Sequence, residues 1–159
     1  QARIGGWYSN MANPSQRDVH WFTHAITPEH EPWAFPNPKN HIASLELYAT
    51  ILLLQYITAT STHATVEIPM ITDNKGNTYN ALNYKSKSWP HAGILMELAL
   101  TTYYRRVHPN LKHVHRELNT WADQLTHANT AKFEQDRQFT VSTTDFYILH
   151  QLQKSKKGS

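Results

Sequence analysis

The sequence predicts an α/β domain built from a mixed sheet with helices on its faces. Two strand-like runs near the N-terminus, residues 4–9 and 19–26, are separated by Asn and Pro turn formers and predict a hairpin. From residue 42 onward, the patterns alternate in the order helix, strand, helix, strand, helix. Crossovers of this kind place strands parallel in one sheet. With 159 residues, 40% of them hydrophobic, the chain is long enough for one domain with a sizeable core.

A Pro-rich segment separates the hairpin from the first helix. Its four prolines, between residues 28 and 38, predict a loop without regular structure through Asn40. Trp33 and Phe35 predict that this loop packs onto the body of the protein. The run that follows, residues 42–57, has apolar side chains at helical spacing over a wide face. We therefore expect a buried central helix there.

The middle of the chain supplies a strand and a second helix. Residues 65–72 are β-branched and apolar, which predicts a strand that ends in a turn at 73–77. Residues 80–108 predict a long helical region, interrupted at Trp89-Pro90 and ended by Pro109-Asn110.

The remaining elements lie in the last third of the chain. Residues 111–116 predict another strand, and Asn119 predicts the N-cap of a helix that runs to about residue 128. We expect the α/β domain to cover residues 1–132. Residues 133–159 form a C-terminal extension, with a short helix at 144–152 and a basic tail.

Composition limits the possible chemistry and partners. The chain has no cysteine, which excludes disulfides, thiol catalysis and Cys-type zinc sites. A formal charge of +3 and a pI near 9.1 mildly favour an anionic partner such as nucleic acid. The longest purely apolar stretch is far shorter than a bilayer span and is not N-terminal. We therefore expect an intracellular protein that does not bind a membrane.

Three carboxylates occupy element positions that are typical of catalytic or metal-binding residues. Glu46 is the sole acid in the apolar helical run, Asp73 directly follows a predicted strand, and Asp123 lies in the first turn of the last predicted helix. Each also has an ordinary structural interpretation: a Glu on the solvent side, a turn Asp and a capping Asp. Glu97, between Met96 and Leu98, competes with them.

Four ordered motifs together resemble the ribonuclease H domain of retroelement reverse transcriptases. They cover most of residues 4–127, and the last one is the most specific. The motifs are residues 4–7 (IGGW), 42–47 (IASLEL), 71–74 (ITDN) and 113–126 (HVHRELNTWADQLT). The resemblance implies a ribonuclease H-like fold.

The same resemblance implies a two-metal nuclease. In that family a Glu on the first helix, an Asp after the next strand and an Asp in the last helix help to bind two divalent cations, and Glu46, Asp73 and Asp123 match these positions. Hard oxygen ligands select Mg²⁺ or Mn²⁺, and two such ions promote phosphodiester hydrolysis. The implied substrate is the RNA strand of an RNA–DNA hybrid.

One family feature is missing from this chain. The family carries an Asp on a strand just before the Gly-Trp strand, whereas no acid precedes Asp18 here. We expect the first strand to be absent, encoded upstream or supplied by another protein subunit. The alternative function is therefore a catalytically inactive, domesticated module that binds RNA or serves a structural role in a ribonucleoprotein complex.

Basic and aromatic residues of the second half predict a nucleic-acid contact surface. A solvated helix face explains the same residues equally well. They are Lys85, Lys87, Trp89, Arg105, Arg106, Lys112 and Arg116.

The eleven histidines give a weaker signal. A zinc site from His113, His115 and His127 has no supporting spacing motif. We expect most of the histidines to be polar surface residues.

Overall fold

The structure is a computed structural model that describes residues 1–11, 13–59, 66–72, 89–113 and 120–149. For 66–72 and 108–113 the description covers the backbone alone. The predicted turn at 73–77, the helical residues 80–88, the cap Asn119 and the basic tail lie outside these residues.

Strands and helices alternate as the sequence predicts. The observed order is hairpin, helix, strand, helix, strand, helix, which confirms an α/β protein. The strands are β1 (Arg3–Tyr8), β2 (His20–Ala25), β3 (Val66–Thr72) and β4 (Val107–His113), and the helices are α1 (Ile42–Ala59), α2 (His91–Arg105) and α3 (Thr120–Thr126).

The described strands form two separate pairs. β1 and β2 are antiparallel, in a register that runs from Arg3 opposite Ala25 to Tyr8 opposite His20. β3 and β4 are parallel, and α2 lies between them in the chain. The predicted hairpin and the predicted parallel crossover are therefore both confirmed. A continuous mixed sheet is not observed among the described residues.

Two adjacent glycines allow the hairpin to pack between helices. A Cβ atom at Gly5 would collide with Leu125 of α3. A Cβ atom at Gly6 would stand 2.9 Å from the ring of Phe22 and 3.7 Å from Leu53 of α1. Successive residues of a strand face opposite sides, so α1 and α3 cover opposite faces of β1.

Each face of the hairpin has its own hydrophobic cluster. The larger cluster is centred on α1 and also includes α2 residues such as Ile94 and Leu98. The smaller one contains Val19, Trp21, Leu125 and Phe133. Since the C-terminal segment contributes Phe133 to one cluster and Phe139 and Leu149 to the other, it packs against both.

The central helix is buried, as the sequence predicts. By length and composition alone, residues Pro38–Ala59 could cross a membrane. In the most apolar window of 18 residues within that stretch, 56% is buried inside the protein. The buried side chains pack among β1, α2 and the C-terminal segment. The core helix of a soluble protein passes the same test, and this burial favours that interpretation.

The Pro-rich segment packs as expected but contains two short 3-10 turns. These turns, Pro32–Ala34 and Pro38–His41, begin with a proline, whose fixed φ angle suits a first helical position. Trp33 is buried against Tyr48 of α1, which confirms that the segment lies on the body of the protein.

Two predicted boundaries were wrong. α2 ends at Arg105, because Arg106 adopts a left-handed conformation with φ of 54°, and β4 begins at Val107. Pro109 and Asn110 therefore lie inside a strand instead of ending a helix. β4 has one partner strand among the described residues, and a strand tolerates Pro where its missing N–H faces away from the partner.

The C-terminal helix also begins later than predicted. Residues 144–148 are not helical, and helical structure starts at Leu149. The backbone N–H groups of Tyr147, Ile148 and Leu149 donate to the carboxylate of Glu97. The Glu97 carboxylate therefore fixes residues 147–149 in position.

Candidate functional site

Glu46 lies on the central helix among apolar neighbours. Leu45 and Leu47 beside it are buried, and Glu46 itself is half-buried. Its Oε2 atom is shielded from solvent. The environment around Glu46 therefore has a low dielectric constant on one side, where a charge is costly unless it is compensated.

Asp73 lies outside the described residues, directly after the last residue of β3. That residue, Thr72, is paired with His113 at the end of β4. The chain thus leaves the carboxyl end of a parallel strand at Asp73, which is the end where open α/β sheets bind ligands.

Asp123 is exposed in the first turn of α3. Its side chain is 62% exposed, and Oδ1 lies 3.8 Å from Nδ1 of His127, one helical turn later. α3 is held on the hairpin by Leu125 and by an edge-to-face contact of Trp121 with Trp7. Glu46 and Asp123 therefore belong to helices on opposite faces of β1.

The competing acid Glu97 has a structural role. It is fully buried on α2, where Oε2 accepts the N–H of Tyr147 at 2.7 Å. Its Oε1 accepts the N–H groups of Ile148 at 3.0 Å and Leu149 at 2.9 Å. Three backbone donors occupy this carboxylate, so Glu97 anchors the C-terminal segment.

The predicted nucleic-acid residues that the structure describes differ in their surroundings. Arg105 donates from Nη1 to the carbonyl of Gln55 and to the hydroxyl of Thr58, so it binds the C-terminal end of α1. Arg106 is exposed, whereas Trp89 is half-buried beside the larger cluster. For Lys112 only the backbone position in β4 is described, and Lys85, Lys87 and Arg116 lie outside the described residues.

Exposed aromatic side chains accompany Arg106. Tyr103 and Tyr104 are 75% and 60% exposed at the end of α2, and Tyr104 stacks on Tyr147 at 5.0 Å. The sequence reasoning did not select them. Two adjacent tyrosines followed by two arginines, at the end of a mostly apolar helix, are the sequence signal that could have identified this surface.

Of the three histidines suggested for a zinc site, only His127 has a side chain in the described part of the chain. His115 and the side chain of His113 lie outside the description, and His127 is an exposed partner of Asp123. Two other histidines make partly buried side-chain contacts: His24 contacts Glu31, and His91 contacts Ser44.

A second group of metal-type ligands was missed by the sequence reasoning. One ligand atom from each of His24, His30 and Glu31 lies within 4.8 Å of the others. His24 stands near the end of β2, and His30 and Glu31 follow in the first turn of the Pro-rich segment. The signal in the sequence was an acid next to a histidine in a tight turn, seven residues after another histidine on a strand.

The turn that carries this group is held by reciprocal hydrogen bonds. The N–H of Thr27 donates to Oε1 of Glu31, and the N–H of Glu31 donates to the carbonyl of Thr27. The Thr27 hydroxyl accepts the N–H of His30. Such side-chain caps replace the missing backbone partners of a short turn, and here they fix the positions of both His30 and Glu31.

The Glu31 carboxylate is fully buried and closely surrounded. Its Oε2 lies 3.0 Å from Nε2 of His24 and accepts the hydroxyl of Tyr48 at 2.9 Å. Burial, the charge of Glu31 and this hydrogen bond raise the pKa of Tyr48 well above its usual value. Tyr48 therefore remains a protonated donor to Glu31.

Comparisons of this chain with protein-family models, with curated proteins and with solved structures found no significant match.

Proposed function

We propose that this chain is a ribonuclease H-type domain that hydrolyses the RNA strand of RNA–DNA hybrids. The observation that carries the proposal is the arrangement of the elements that bear the four motifs. The hairpin with the Gly5-Gly6 pair packs between α1 and α3, and a parallel β3–α2–β4 unit follows α1.

The three acids lie at element positions consistent with this function. Glu46 is on the central helix, Asp73 directly follows a parallel strand, and Asp123 is in the first turn of the last helix. Their oxygen atoms suit Mg²⁺ or Mn²⁺, and Oε2 of Glu46 is shielded from solvent.

The cations and the protein side chains would have different roles in the hydrolysis. Two bound cations would activate water and stabilise the leaving oxygen. The acids hold and orient the cations, and Asp123 remains reachable for substrate because its side chain is exposed. Exposed Arg106 and the neighbouring Tyr103 and Tyr104 supply a cation for phosphates and rings for stacking.

A further strand is part of this proposal. β1 has one strand partner among the described residues, and the strands there form two pairs. Open strand edges favour pairing with another strand. We place an Asp-bearing strand, from a preceding segment or from another protein subunit, between the two pairs.

The alternative is a catalytically inactive module that binds RNA inside a ribonucleoprotein complex. The described strands form two separate pairs, which favours it because the resemblance implies one mixed sheet around the active site. Exposed Tyr103, Tyr104 and Arg106 serve this function equally well.

The deciding experiment measures cleavage of a hybrid whose RNA strand is labelled. The chain is tested in Mg²⁺ and in Mn²⁺, with and without an added Asp-bearing strand. We expect cleavage that Asp73→Asn abolishes and that Glu46→Gln and Asp123→Asn reduce by roughly 100-fold or more. Asp136→Asn, an exposed acid in another turn, is the control and should cleave at the wild-type rate.

Other outcomes separate the two functions. Binding of RNA without cleavage under every condition supports the inactive module and contradicts the enzyme. Neither binding nor cleavage contradicts both. Cleavage that survives Asp73→Asn contradicts the assigned site.

A further inference from the structure

A second, independent site lies at the end of the hairpin, where the chain turns toward the Pro-rich segment. It contains two imidazoles and one carboxylate, from His24, His30 and Glu31, whose ligand atoms lie within 4.8 Å of one another. Glu31 is fully buried, His24 is 17% exposed, and His30 is exposed. The group thus runs from the core to the surface and is open to solvent on the His30 side.

One separation is close to that of two ligands of a single ion. His24 Nε2 and Glu31 Oε2 stand 3.0 Å apart. Two ligands that bind Zn²⁺ tetrahedrally at about 2.0–2.1 Å are separated by about 3.3 Å, so a shift of a few tenths of an ångström brings this pair to that separation. The ion would replace the proton between these two atoms.

The surrounding contacts orient the ligands. The Tyr48 hydroxyl donates to Glu31 Oε2, and the Thr27 N–H donates to Oε1. The Thr27 hydroxyl lies 3.2 Å from Nδ1 of His30. Groups that bond to ligands in this way fix their geometry and raise metal affinity in known sites.

The charge of Glu31 gives a reason for a cation at this place. A fully buried carboxylate is stable only when hydrogen bonds or a positive charge compensate it. No Lys or Arg is paired with Glu31 in the described part of the chain, and the basic side chain in contact with it there is the imidazole of His24. A divalent ion shared with two imidazoles compensates the charge more strongly than a proton on one of them.

We propose that His24, His30 and Glu31 bind one divalent transition-metal ion, with Zn²⁺ as the best match and water in the fourth position. Two nitrogens and one oxygen favour Zn²⁺ over Mg²⁺, which prefers six oxygens. The site joins β2 to the Pro-rich segment and, through Tyr48, to α1. It does not depend on the proposed nuclease function and shares no residue with Glu46, Asp73 or Asp123.

The test is a titration of the metal-free full chain with Co²⁺, followed by displacement with Zn²⁺. We expect one equivalent to bind with the visible absorption of tetrahedral Co²⁺, and Zn²⁺ to remove that absorption. His30→Gln changes an exposed residue and should fold, and it should weaken binding by roughly tenfold or more. Tyr48→Phe keeps all three ligands and should weaken binding by roughly tenfold.

His127→Gln is the matched control, because His127 is an exposed histidine on α3. It should bind the metal like the wild type. The proposal is overturned if the wild-type chain binds no stoichiometric Zn²⁺ or Co²⁺ at micromolar concentration. It is also overturned if His30→Gln binds as tightly as wild type, or if His127→Gln loses the ion.

Discussion

Two glutamates in the described part of the chain are fully buried, and they are compensated in different ways. Glu97 accepts three backbone N–H groups from the C-terminal segment, and its charge is fixed by the main chain. Glu31 accepts one backbone N–H, one phenol and one imidazole next to an exposed histidine. Backbone donors cannot be exchanged for an ion, whereas an imidazole proton can. The same residue type is therefore an anchor in one region and a candidate ligand in the other.

The largest expected effect is at Glu97. Glu97→Gln replaces one acceptor oxygen with an NH₂ group that faces backbone donors. We expect the free energy of unfolding to fall by about 3 kcal/mol, measured by urea denaturation, because buried N–H groups lose their partner.

Glu29→Gln is the control for this change, since Glu29 is exposed. It should alter the free energy of unfolding by less than about 0.5 kcal/mol. A loss at Glu97→Gln no larger than that of the control would show that the carboxylate does not hold the C-terminal segment.

The dependence of the free energy of unfolding on Zn²⁺ distinguishes the roles of the two glutamates. At a Zn²⁺ concentration of about 100 times Kd, a site present only in the folded state adds about 2.7 kcal/mol to the free energy of unfolding. We expect this gain in wild type and in Glu97→Gln, and its loss in Glu31→Gln. Equal gains in the two variants would contradict the assignment of Glu31 as a ligand.

The smallest expected effect is the pH-dependent loss of stability at His91, whose surroundings differ from those of His24. His24 faces a carboxylate, whereas Nδ1 of His91 lies 3.0 Å from the hydroxyl of Ser44, and burial lowers the pKa of His91 below its usual 6.5. The unfolded state then binds a proton at His91 more readily than the folded state does. The stability from a neutral His91 is present above pH 6.5 and is lost as the pH falls through the lower folded-state pKa.

Urea midpoints at about pH 7.5 and about pH 5 test the contribution of His91. The wild type should lose more stability on acidification than His91→Asn. An equal loss in both proteins would show that His91 titrates alike in the folded and unfolded states.

The local patterns predicted much of the fold. Apolar spacing in residues 42–57 predicted α1, and the Gly-aromatic run near the N-terminus predicted β1. Prediction failed at Pro109, because the end of a helix depends on which backbone conformation residue 106 adopts and on whether a neighbouring strand is present. Neither condition is visible in a local window.

The sequence likewise predicted one candidate site and missed the other. Motif resemblance selected Glu46, Asp73 and Asp123, whose joint role remains a prediction. It did not select Glu31, because nothing in a Pro-rich turn shows that the side chain is buried against Tyr48 of a later helix.

The sequence by itself determined the class of the fold, because helical and strand periodicity are local properties that a window of about 11–18 residues reveals. The sequence also shows two adjacent glycines, Gly5 and Gly6, in a strand-like run. Only the tertiary structure decided what that pair is for, since α1 and α3 approach opposite faces of β1 there. It alone decided that Glu97 holds residues 147–149 and that Glu31 meets two histidines, because the charge of a buried acid is compensated by whatever the fold brings within hydrogen-bonding distance.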